Sequence, residues 1–370
     1  MISVNDRLVS EAISHAVDLD QYGTGVVRRM LALLNRVDSD LFAQLTATLG
    51  NLDAESFTVE RLEALLMSVR TMHAHAYLQL ERALTNELRE FVAAEWGYQQ
   101  QLLPSVGVPL SFGTGVATAE QVYAAAMSRP FQGRLLSEWA SGIEAQRMTR
   151  IRDAVRIGYV ENESVQQIVR RVRGTRAAGY TDGLIEIDRR HAEAVVRTAV
   201  QHVAAVAQDR MIEANLDLIK AVQWHAKLDT RTSEKCRVRD GLLYTPDTHK
   251  PIGHKVPWLS GPGRSHWNCR SLAVQMLKSF EEVTGIPGVG EIPVGTRASM
   301  DGALPADLTY GQWLQKQSAA RQDEVVGPTR GALMREGKLP FDELYSRRGE
   351  MLTLDQLRER NGAAFKRAGV

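Results

Sequence analysis

The feature that most restricts this chain is the spacing of its apolar residues between Thr58 and Trp96. Leu62, Leu65, Leu66, Val69, Met72, Ala76, Leu80, Ala83, Leu84, Leu88 and Phe91 recur at three- and four-residue steps. That is the repeat of one buried face on a long helix, and it leaves Arg61, Glu63, Arg70, Glu81, Glu87 and Arg89 for solvent. Met1 to Leu19 and Val26 to Leu49 carry shorter stretches of the same repeat, and Gly23, Gly25 and Gly50-Asn51 read as breaks between them. Helices of this length with short turns favour antiparallel packing, so the first 103 residues are expected to form a helical bundle or hairpins. Pro104, Gly107, Pro109, Gly113 and Gly115 then cluster in a linker over 104–117.

Local signals place the later elements. Thr118–Gln121, Ser164–Gln167, Thr309–Gln312 and Thr353–Gln356 each fit a capping box, in which two side chains satisfy free amides of a first helical turn. Phe131 to Ile157 and Asp188 to Leu218 read as further helices, giving a helical segment over 118–219. At Lys220 the texture changes to Trp, His, Gly, Pro and Thr, with β-like pieces at Ala221–Trp224 and Gly241–Tyr244. Residues 220–285 are expected to be a loop-rich module with short strands, 286–308 a connector, and 309–370 a small helical tail. The fold class expected is mainly α with a small α+β module.

With 370 residues, 44% hydrophobic and 24% charged, the chain has ordinary globular usage, which excludes wholesale disorder. No run of about 18 apolar residues is present, so no membrane span is expected. The N-terminus lacks a basic start and apolar stretch, and two cysteines exclude a disulfide scaffold, so a chain made in a reducing cytosol is expected. The net charge of +1 conceals an asymmetry: 8 Lys/Arg stand against 14 Asp/Glu up to Gln100, and 11 against 4 between Lys220 and Lys278. Opposite local signs point to surfaces with different partners, or to parts that attract each other.

Both cysteines and four of the nine histidines (His225, His249, His254 and His266) fall in the module. Three readings compete there. Cys236, His266 and Cys269 have metal-ligand types at usable spacing, with His249 or His254 as a fourth. A metal-dependent nuclease would use His266 to activate water and Asn268 to orient it, but no His or Asp follows Arg270 before Glu281. The favoured reading is structural: Asp229, Arg231, Asp240 and Arg270 tie loops through buried ion pairs, and Trp224 and Trp267 anchor them. No metal or other cofactor is expected on that reading. Gly-x-Ser-x-Gly, a phosphate loop and His-Glu-x-x-His are all missing, and His73 and His75 lie on different faces of a helix.

The same residues resemble the phage Mu F-like head morphogenesis family, the minor head proteins of tailed phages. Its pattern is a Trp, Asp-x-Arg-Thr-Cys-x-x-Cys, Asp-Gly, then Pro…His-x-x-Cys-Arg-Cys. Here it stands as Trp224, Asp229, Arg231, Thr232, Ser233, Cys236, Asp240, Gly241, His266, Cys269, Arg270 and Ser271. Gly158 to Val172 and Arg197-Thr198 match upstream helices, so the resemblance spans about Arg147 to Val274; the tail around Tyr310–Leu314 and Leu352–Leu354 also looks like tails of such proteins. Ser233 and Ser271 replace two cysteines of the pattern, which implies that those positions were partners and that Cys236 and Cys269 face each other. The resemblance implies a virion component without catalytic activity, inside the capsid near the portal, made in the host cytoplasm during assembly. Its partners would be the portal protein and the major capsid protein or scaffold, with no membrane. Lys227, Lys235, Arg237, Arg239, Lys250 and Lys255 would give nonspecific contacts to packaged DNA. The alternatives are an effector delivered with the DNA, a nuclease or an ADP-ribosyltransferase-like enzyme, and a head–tail adaptor.

Overall fold

The computed structural model describes residues 4–50, 59–108, 117–161, 163–278, 296–305 and 308–370. The described chain is mainly helical with a small antiparallel sheet. Helix α1 spans Val4–Gly50 and α2 spans Val59–Ser105. The expected break at Gly23 and Gly25 does not occur. A Cβ at Gly23 would meet nothing and one at Gly25 only the end of Arg29, so the backbone runs on in helical form. Glycine in a helix costs about 1 kcal/mol relative to alanine. Burial of Val26, Val27, Met30 and Leu34 on the following turns offsets that, at roughly 1.5–3 kcal/mol for each large side chain. Pro104 likewise lies inside the last turn of α2, so the linker expected from 104 starts later; 109–116 lie outside the described residues.

The remaining helices are α3 Ala119–Ser128, α4 Leu136–Val160, α5 Val165–Arg173, α6 Leu184–Ala214 and the single turn α7 Glu234–Arg237. The tail holds α8 Tyr310–Gln315, α9 Ala319–Val326, α10 Pro328–Arg335, a 3-10 turn Phe341–Leu344 and α11 Leu354–Ala368. All four capping boxes form, each with its side chain and backbone bonds in place.

The chain divides into two compact units that cut across the linear boundaries read from the sequence. One consists of Gln21–Val92 and Tyr123–Val200. Its core joins Leu41, Leu45, Leu66 and Val69 to Ile151, Val155, Ile168, Val172 and Ile185. At its centre Asp38 and Arg147, both buried, form an ion pair, and Arg189 reaches the other carboxylate oxygen at 3.0 Å. These partners are 109 and 151 residues from Asp38, so the unit is built from segments far apart in sequence.

The other unit consists of Met1–Asp20, Ala93–Val122 and Gln201–Val370. Its sheet has the order β3-β2-β1-β4, all antiparallel, from β1 Ile219–His225, β2 Leu243–Tyr244, β3 Pro251–Ile252 and β4 Leu272–Leu277. Strand β1 is central: Val222 lies opposite Tyr244 on one side and Gln275 on the other. Leu8, Val9, Leu102 and Leu103 pack with Ile219, Val222, Trp224, Tyr244 and Val274 in one core. A second core in the tail gathers Leu228, Tyr310, Trp313, Leu314, Leu333, Phe341, Leu344, Leu357 and Phe365. Strands β5 Thr296–Ser299 and β6 Gly302–Pro305 form a hairpin within the segment read as connector. No helix among the described residues is long and apolar enough to cross a membrane.

Candidate functional site

Strand β1 delivers Trp224 into the core, fully buried, where it meets Trp258 edge-on at 5.3 Å with Arg239 over its face. Trp258, itself edge-on to Tyr244 at 4.8 Å and stacked on His249 at 4.6 Å, is the second anchor. Trp267, expected in that role, is only half-buried. The difference is one of position: Trp258 precedes a left-handed turn at Gly261, where φ is +91° and a Cβ would strike the Trp258 indole nitrogen at 2.8 Å. Only glycine lets the backbone fold so closely over that ring.

Past β1 the chain turns into a loop whose polar groups are tied by carboxylates. Asp229 accepts both arms of Arg270, at 2.5 and 2.9 Å, and lies 3.0 Å from the Thr232 hydroxyl, which donates to the Lys227 carbonyl at 2.5 Å. Burial pushes the Asp229 carboxyl up, but the bond to Arg270 and its charge, helped by Thr232 and Lys227, outweigh this and hold it below the usual carboxylate range. Arg231 is exposed and takes no part, correcting the expectation that it joins the buried ion pairs. Arg270 occupies the carboxylate instead, since a planar guanidinium meeting both oxygens leaves no room for a second fork.

Asp240 ties loops through backbone amides. One carboxylate oxygen accepts the Ala226 amide at 2.7 Å and the other the Tyr310 amide at 2.6 Å. Tyr310 in turn donates its hydroxyl to the Asp229 carbonyl at 2.8 Å. The two aspartates thereby join the module to the first turn of α8. Gly241 follows at φ +82°, donating its amide to the Trp224 carbonyl at 2.8 Å and accepting from the Gln223 side chain at 3.0 Å.

The sulfur cluster sits between α7 and the loop before β4. The Cys236 and Cys269 Sγ atoms lie 3.7 Å apart, both buried, and His266 Nε2 is 3.1 Å from Cys236 Sγ and 2.7 Å from Ser233 Oγ. Ser233 is the N-cap of α7 but makes no side-chain cap bond, its hydroxyl being turned to His266. His266 Nδ1 donates to the Trp267 carbonyl at 2.9 Å. The two thiols separate in acidity. The bond to Cys269, together with burial, pushes Cys236 up. The bond from Cys236, against burial, lowers Cys269 to about 7, aided by the backbone amides of Ser271, Gly263 and Ser265. Cys269 is therefore the thiol that ionises first. The expected facing of the cysteines is present, and the Ser233 hydroxyl meets His266.

His249 and His254, offered as fourth ligands, are elsewhere: one stacks on Trp258 and the other approaches the Leu243 carbonyl at 2.9 Å. His266 meets Ser233 and Cys236 through Nε2 and the Trp267 carbonyl through Nδ1, while Asn268 is exposed. The DNA candidates divide. Arg237 donates to the carbonyls of Thr232 and Val325, and Arg239, buried and lowered by that burial, donates to those of Pro257 and Lys235. Both are structural, correcting their reading as phosphate contacts, because long guanidiniums satisfy loop carbonyls that have no strand partner. Lys227 pairs with Asp20 at 3.2 Å. Lys235, Lys250 and Lys255 are exposed. Trp258 and the pair of Asp209 with Arg264 at 2.8 Å were not legible as site residues; the signal for the first was its place beside the Gly261 turn.

Residues 147–274 match the family model described as Phage Mu protein F like protein. The segment is Mu F-like. No curated protein and no solved structure matches the chain. The Mu F-like match points to bacteriophage head morphogenesis and to the virion as the place of work. It ends at Val274 within β4, so the whole Asp229–Arg270 tie and the sulfur cluster fall inside it, whereas Tyr310 and the tail core lie beyond.

Proposed function

We propose that the chain is a minor head protein that acts structurally at the portal vertex inside the capsid, assisting procapsid assembly and contacting packaged DNA. The observation that carries this reading is the inward direction of the Mu F-like motif residues. Asp229 faces Arg270, Asp240 faces two backbone amides, and His266 faces Ser233 and Cys236. These three side chains hold loops together, which suits a structural part. A cavity of about 220 Å³ beside the Asp229–Arg270 pair is lined largely by apolar groups such as Ile13, Val17, Leu272 and Met300. Its one other carboxylate, Asp20, pairs with Lys227.

Helical portal and capsid partners suit the amphipathic helices of the chain, and the exposed lysines supply salt-sensitive phosphate contacts. The test is mass spectrometry of purified DNA-filled particles before and after external protease. Peptides of the chain that survive protease in intact particles and vanish after the shell is opened support the reading. Absence from particles, or complete digestion on intact ones, sinks it.

A further inference from the structure

We propose that Cys236 Sγ, Cys269 Sγ and His266 Nε2 hold one zinc ion, with a water kept by the Ser233 hydroxyl at the fourth position. The site cross-links α7 to the loop before β4. This reverses the expectation of no metal, and it does not rest on the head-protein reading.

The geometry carries it. The three donor atoms lie within 4.8 Å of one another. Two thiolates bound at about 2.3 Å on a tetrahedral ion stand about 3.8 Å apart, and the two Sγ atoms are 3.7 Å apart. His266 is oriented as metal-bound imidazoles are: Nδ1–H donates to a backbone carbonyl, which leaves the Nε2 lone pair directed at the sulfur pair. Ser233 Oγ, 2.7 Å from the same nitrogen, closes the remaining side. Both cysteines are at most 1% exposed, so the ion would lie below the surface, between α7 and the loop. Binding replaces the two thiol protons by the metal and releases them to solvent, with no change of oxidation state.

The experiment uses the full chain, expressed without a polyhistidine tag and purified under reducing conditions without chelator. Elemental analysis is expected to give about one zinc per chain, with both thiols blocked to a thiol reagent until a strong chelator is added. Cobalt in place of zinc is expected to show the intense visible bands of a tetrahedral sulfur-bound ion. Ser233→Cys, which completes a four-ligand set, is expected to slow zinc transfer to a competing chelator at least tenfold, while His266→Ala and Cys269→Ser lose the metal. Because those last two variants can fail to fold, the wild-type stoichiometry and Ser233→Cys decide. A folded, reduced wild type holding less than a tenth of an equivalent after incubation with zinc overturns the proposal. So does a Cys236–Cys269 disulfide in protein kept reducing, or a Ser233→Cys chain that releases zinc as fast as wild type.

Discussion

Replacing Asp240 by Asn probes the tie between the Mu F-like module and the tail with almost no change of shape. In the native chain one carboxylate receives two backbone amides from segments far apart in sequence, and Asp240 is 6% exposed. An Asn side chain has one oxygen, so whichever way it flips, the amide of Ala226 or of Tyr310 faces an NH2 group. A buried N–H left without an acceptor costs about 1–3 kcal/mol, and the surviving bond loses its charge assistance, about 1 kcal/mol more. The expected destabilisation is therefore about 2–4 kcal/mol. For a folding unit of this size roughly 2–4 °C of melting temperature accompanies each kcal/mol, so the transition should fall by roughly 5–15 °C. The same loss should raise exchange of the abandoned amide by about 30- to 1000-fold, since 1.4 kcal/mol is a factor of ten. Asp217→Asn, at an exposed turn, serves as the control and should change stability by less than about 0.5 kcal/mol. A D240N chain that melts within about 2 °C of wild type, with both amides still protected, would refute the claim that this carboxylate holds the two parts together.

Two further outcomes follow from the same geometry. The folded-state carboxyl of Asp229 is depressed, so its stabilisation is complete above the unfolded value near 3.9 and is lost as pH falls through the lower folded value. The gap in melting temperature between wild type and Asp229→Asn should accordingly be largest above about pH 5 and narrow steadily as pH falls below the unfolded value; a gap independent of pH would show that the charge on Asp229 is irrelevant. Changing Lys235, Lys250 and Lys255 together to Gln should leave the melting temperature within about 1 °C and lower the salt slope of weak DNA binding measured by fluorescence anisotropy. An unchanged slope would assign any DNA contact to another surface.

What the sequence made legible was local. A Thr or Ser followed three residues later by Gln fixes a helix start from within one turn, and all four such boxes formed. The density of Asp, Arg, Cys and His after Trp224 likewise marked the place where the loops are tied. What escaped depends on partners far along the chain. Asp229, Arg231, Asp240 and Arg270 were legible as a set, but not which arginine meets which aspartate: Arg270 takes Asp229 from 41 residues on, and Arg231 stays exposed. Strand β4 reads as a nearly continuous apolar run, and its identity comes from a six-residue pairing with β1 rather than from alternation. Helix α1 passes the two glycines because tertiary burial of its next turns outweighs local propensity. The discontinuous units follow from contacts such as Asp38 with Arg147, which no window of sequence contains.

The most direct measurement of the central claim, a non-catalytic scaffold placed inside the head, is an asymmetric cryo-electron-microscopy reconstruction of the portal vertex in DNA-filled particles. The account predicts density on the inner side of the shell into which the four-stranded sheet and its Asp229–Arg270 and Asp240–Tyr310 ties fit unchanged. A vertex whose inner density is fully explained by other chains, with this one absent or bound outside the shell, would contradict it.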